Sequence, residues 1–90
     1  MKIFHNEKNI AWRIIDGTAC IVTVKDSRLH ILNEIGTRIW QVIEKGIEFE
    51  DLIEKILQEY EVGPEKLKQD IKEFLDELNS KGLIKIESDK

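Results

Sequence analysis

Ile10-Ala11-Trp12-Arg13-Ile14-Ile15-Asp16-Gly17-Thr18-Ala19-Cys20-Ile21-Val22-Thr23-Val24 is a pair of β-rich runs hinged on Asp-Gly. β-branched and aromatic side chains suit a pleated surface, and Asp and Gly both tolerate the positive φ of a type I′ turn. The stretch predicts a hairpin with strands over 10–15 and 19–24. Ala19-Cys20-Ile21-Val22 is apolar without alternation, as in a middle strand covered on both faces. After the polar turn Lys25-Asp26-Ser27, a third strand over 28–32 completes a meander, with Leu29 and Ile31 on one face.

From Asn33 the period changes. Ile35, Ile39, Val42 and Ile43 recur at helical spacing up to Lys45-Gly46, predicting a helix over 34–45. Leu52, Ile53, Ile56, Leu57 and Tyr60 mark a second helix over 49–60, with Glu50 and Asp51 at the positive end of its dipole. Pro64 opens a third over 64–81, carried by Leu67, Ile71, Phe74, Leu75 and Leu78 and stopped at Gly82. Residues 83–87 alternate as a short closing strand, and Ser88-Asp89-Lys90 should fray. The expected fold is α+β, a single domain over 1–90. It is winged helix-turn-helix-like, a three-stranded antiparallel meander followed by three helices and a short closing strand.

Composition narrows the function. Ninety residues that are 41% hydrophobic and 36% charged suit one globular domain. A net charge of −4 gives no attraction to phosphate backbones or anionic lipid, so neither nucleic acid nor membrane is expected as a partner. Cys20 is the single cysteine, which excludes an internal disulfide and a thiolate cage. MKIFHNEKN lacks a signal-peptide run and no segment nears the ~20 apolar residues of a membrane span, so a cytoplasmic protein is expected.

Catalytic patterns are scarce. His5, read as part of a frayed start, and His30, read as a surface or peptide-contacting residue, are far apart and lack metal-ligand spacing. Cys20 reads as a small buried hydrophobe. Glu50-Asp51 and Asp76-Glu77 lie on hydrophilic helix faces, and no glycine cluster can cradle phosphate. A non-enzyme without cofactor or metal is expected. The third strand is more informative: at a sheet edge, its unpaired backbone groups could accept an extended peptide beside a groove bordered by the long helix.

Ala-Trp-Arg-Ile-Ile-Asp-Gly at 11 to 17, Leu-Asn-Glu-Ile-Gly-Thr-Arg-Ile-Trp at 32 to 40, Tyr60 to Asp70 with Val62 and Pro64, and Leu78 with Gly82-Leu83-Ile84 resemble the PqqD-like family. One departure is Glu48, where these proteins often place Ser or Thr ahead of the second helix. The resemblance implies a recognition domain for precursor peptides, as in pathways to ribosomally made, post-translationally modified peptides (RiPPs), including PQQ synthesis and lasso peptides. It implies a leader peptide added as an antiparallel strand on the third strand and packed against the third helix. The backbone partners would be Arg28, Leu29, His30 and Ile31, with groove residues Leu67, Asp70, Ile71 and Phe74. Ile39 and Trp40 are assigned to packing. The partner enzyme in such systems is a radical SAM maturase or a leader protease.

Two rival readings stand beside it. A winged-helix DNA-binding regulator needs a basic recognition helix, whereas residues 64–81 carry Lys66, Lys68, Lys72 and Lys81 against Glu65, Asp70, Glu73, Asp76 and Glu77. A protein–protein adaptor would dock through the acidic face of the second helix, at Glu50, Asp51, Glu54 and Glu61.

Overall fold

The computed structural model describes residues 1–88, so Asp89 and Lys90 of the expected frayed tail lie outside the described residues. The elements run β1 (Lys2–His5), β2 (Ile10–Ile15), β3 (Thr18–Thr23), β4 (Arg28–Ile31), α1 (Glu34–Val42), β5 (Ile47–Glu48), α2 (Phe49–Glu59), α3 (Pro64–Ser80) and β6 (Ile84–Glu87). Asp16 and Gly17 take φ of 52° and 76°, so the Asp-Gly pair turns β2 into β3 as its chemistry requires. The second turn is tied by the Thr23 hydroxyl, which donates to the Asp26 carboxylate and holds it below the usual carboxylate range.

The helices sit within two residues of their expected ends except α1, which stops at Val42. The expected meander β2-β3-β4 and closing strand β6 are both present, but β6 does not stand alone: it belongs to a second antiparallel sheet, β5-β1-β6, which was not expected. β1 replaces the expected frayed start. It pairs with β6 along its whole length, Lys2 with Glu87 through His5 with Ile84, and buries Ile3 and His5 at 0% and 5% exposure. Four residues carry too short an alternation to read locally, and their partner strand lies at the far end of the chain.

A second correction concerns β3. It is the middle strand, but only Ala19, Ile21 and Thr23 face the core; Val22 is exposed, and Cys20 is half-buried on the outer face instead of being a core hydrophobe. The helices cover one side of this sheet only. The unbroken apolar run had concealed an ordinary alternation.

Helix starts use different devices. Asn33 caps α1, its side chain accepting from the Gly36 N–H at 2.7 Å. Glu48 makes no side-chain cap for α2; instead the Met1 carbonyl accepts the Phe49 N–H at 2.9 Å, and Glu48 meets the Met1 ammonium at 3.2 Å. Met1, just ahead of β1, therefore gives the first amide of α2 an acceptor where no N-cap side chain serves the helix. Thr37 ties α1 to the sheet by accepting the Ala19 N–H at 3.0 Å. Trp40 is fully buried at the centre, where Ile39 also packs as expected. Leu67, Ile71, Leu75 and Leu78 form the buried stripe of α3, each contributing about 1.5–3 kcal/mol of burial.

Candidate functional site

β4 lies at the edge of its sheet, paired with β3 alone. The ladder register sets Cys20 opposite Ile31, Ile21 opposite His30, Val22 opposite Leu29 and Thr23 opposite Arg28. Just beyond the strand, the Leu32 N–H donates to the Ala19 carbonyl at 3.1 Å. Because hydrogen-bonded and non-hydrogen-bonded pairs alternate in an antiparallel ladder, this bond fixes the phase of the whole strand. Arg28 and His30 direct their backbone groups to β3. Leu29 and Ile31 direct theirs outward, along the free edge.

The side chains divide the other way. Leu29 and Ile31 stand on the outer face at 60% and 64% exposure, while His30 points to the α3 side and is half-buried. Between β4 and α3 runs a groove of about 500 Å³, floored by Leu32, Leu78 and Leu83 and walled by His30, Phe74 and the Glu77–Lys81 pair. Lys81 Nζ lies 2.8 Å from the Glu77 carboxylate, a contact that holds this acid below its ordinary value. A second hollow of about 390 Å³ continues between α1 and α3, past the C-terminal end of β4. Asn33 and Phe74 line both, so one surface runs from the strand edge to the start of α3.

The structure brings the eight expected residues to this one surface but in two groups. Leu29, His30 and Ile31 border the strand groove, with Arg28 one residue before it on β4; Leu67, Asp70 and Ile71 line the second hollow, and Phe74 joins them. Leu67 and Ile71 are 5% and 2% exposed, so each offers only an edge. Asp70 is exposed and 3.6 Å from Lys66. Sequence reasoning missed Asn33, Glu77, Leu78 and Lys81. Glu77, Leu78 and Lys81 follow Phe74 at helical spacings of three, four and seven, a signal that would have found them.

Gly36 shapes the join between the hollows. A Cβ there would stand 3.1 Å from Phe74 Cζ and 3.0 Å from the capping oxygen of Asn33. The aromatic ring therefore packs directly over the first turn of α1. Among the described residues, no group of three or more His, Cys, Asp or Glu side chains could hold a metal ion, and no helix is long and apolar enough to cross a membrane.

Comparisons with known proteins fit this geometry. A solved structure of TbiB1 in complex with the TbiA(beta) leader peptide is similar, with a TM-score of 0.83 and 26% sequence identity, covering 90% of this chain and 94% of that one. No curated protein matches. The family model of coenzyme PQQ synthesis protein D (PqqD) matches residues 11–84, from the second residue of β2 to the first of β6, and with that span the chain belongs to the PqqD family.

Proposed function

We propose that the protein binds the leader segment of a ribosomally synthesised precursor peptide as an added antiparallel strand on β4, and performs no chemistry on it. The observation that carries this reading is the phase of the β4 ladder: the N–H and C=O groups of Leu29 and Ile31 face an open edge beside a groove with a leucine floor and polar walls. An extended chain laid there satisfies those groups, and its alternate side chains reach the groove. The leader peptide held by the similar TbiB1 structure supports the same reading.

Binding at the leader keeps the rest of the precursor near a modifying enzyme, raising its effective concentration without a catalytic group on this chain. The enzyme is a radical SAM maturase or a leader protease, in PQQ synthesis or another RiPP pathway. A ribosomal substrate and a free, half-buried Cys20 support a cytoplasmic setting.

The test is a titration of isotope-labelled protein with synthetic leader segments from short reading frames beside its gene, with duplex DNA as control. Amide shifts concentrated on residues 28–32 and on the Phe74 face of α3 are expected. Shifts spread over α2, or a response to DNA alone, would overturn the reading.

A further inference from the structure

We infer that His30 reads the leader residue laid opposite it, and that this residue carries a side-chain oxygen acceptor; the inference rests on strand addition at β4. With Leu29 and Ile31 committed to hydrogen bonds with the incoming strand, His30 faces its partner in a non-hydrogen-bonded pair. Such pairs bring Cα atoms to about 4.5 Å, with both side chains on one face. Here that face is the α3 side, because His30 lines the groove.

The imidazole is unevenly served. Nε2 is closed to solvent and has no hydrogen-bond partner among the described residues, whereas Nδ1 is not closed off in this way and the ring lines the groove. A neutral ring carries its hydrogen on one nitrogen only. A buried N–H without an acceptor is costlier than a buried bare lone pair, so the inference places the hydrogen on Nδ1, as a donor available to a leader residue in the groove. The charged groups in the groove wall, Glu77 and Lys81, are paired at 2.8 Å. The neighbouring surface of Leu32, Phe74 and Leu78 is apolar. A leader residue that cannot accept leaves the His30 donor desolvated and unpaired, which discriminates against it.

Random strand-length peptides displayed on phage would be selected on the wild-type protein, on His30→Phe, on His30→Asn and on Ile31→Pro. Asn places an amide N–H close to the imidazole Nδ1–H, whereas Phe offers none. Wild type and His30→Asn are expected to share one position enriched about tenfold in Asp, Glu, Asn, Gln, Ser or Thr, the discrimination of one hydrogen bond. His30→Phe should take apolar residues there. The same profile in all three pools, with enrichment abolished by Ile31→Pro, overturns the His30 inference and leaves strand addition standing. Enrichment that survives Ile31→Pro, or no enrichment at all, overturns strand addition and the inference with it. An imidazole nitrogen–proton spectrum of the wild type bound to an enriched peptide needs no substitution. A His30 Nδ1–H slowed in exchange supports the inference, and an Nε2–H tautomer overturns it.

Discussion

The His5 imidazole is stacked on the Trp40 indole, with centroids 3.7 Å apart and planes 15° from parallel, and its Nε2–H donates to the Trp40 backbone carbonyl at 2.8 Å. Trp40 lies in the last turn of α1, where carbonyls lack helical partners, so a side chain from β1 caps the C-terminal end of that helix. Trp12 completes the cluster edge-on, 5.2 Å from His5 and 5.8 Å from Trp40. This cluster joins the two sheets through α1.

Burial pushes the His5 pKa below 6.5, with the Trp40 carbonyl, Glu44 and Glu7 opposing it less strongly. The unfolded ring therefore binds a proton more tightly than the folded one. The stability due to neutral His5 is complete above pH 6.5, falls as the pH drops below it, and stops falling below the folded value. The loss is at most about 1.4 kcal/mol per pH unit. Urea midpoints between pH 7.5 and 5 should fall more steeply for the wild type than for His5→Phe. Parallel curves would exclude His5 as the titrating group.

Prolines separate the two edges of β4. Ile31→Pro removes an outward N–H and leaves the ladder with β3 intact, so leader affinity should drop about tenfold or more with little change in stability. His30→Pro removes a donor that β3 uses and should destabilise the fold itself. Calorimetric titration beside urea unfolding distinguishes the two; equal affinity losses without unfolding in both would contradict the ladder phase.

Phe74 and Leu75 are neighbours with opposite duties. Leu75 is 1% exposed, and Leu75→Ala should cost about 2–5 kcal/mol of stability while leaving the binding surface unchanged. Phe74 is half-buried where the two hollows meet, so Phe74→Ala should cost less stability and weaken leader binding more. Denaturation and titration of both variants give the comparison.

Arg38 grips Glu59 through two bonds of 2.7 and 2.8 Å, linking α1 to α2. Both side chains are about one-third exposed, at 36% and 30%, so solvent screening limits the pair. Glu59→Gln should cost less than about 1 kcal/mol, and 0.5 M salt should shrink the difference further. A loss above 2 kcal/mol in urea unfolding would mean that the bridge fixes the angle between the helices.

Local chemistry made much of this fold legible. Asp16-Gly17 announced the hairpin, Asn33 and Pro64 the starts of α1 and α3, and the Leu67-Ile71-Leu75-Leu78 spacing the buried stripe of the longest helix. β1 was illegible because Lys2-Ile3-Phe4-His5 becomes a strand only when β6 and β5 flank it. His5 likewise looked like a terminal residue until Trp40 was beneath it. At the site, the sequence pointed to the edge strand and to the Phe74 face, but could not say which backbone groups were free. That depended on one bond, Leu32 to Ala19.

The sequence by itself determined the order of elements and the apolar face of each helix, because turn residues and hydrophobic spacing act within a few positions of the chain. Through the family resemblance it also pointed to the third strand as the place where a leader would add. Only the tertiary structure decided that there are two sheets, that His5 is a core residue, and that Leu29 and Ile31 offer their backbones outward while His30 offers its side chain inward. These depend on pairing register and on contacts between distant segments, and a shift of one residue in register would exchange every face and every free donor without altering a single local propensity.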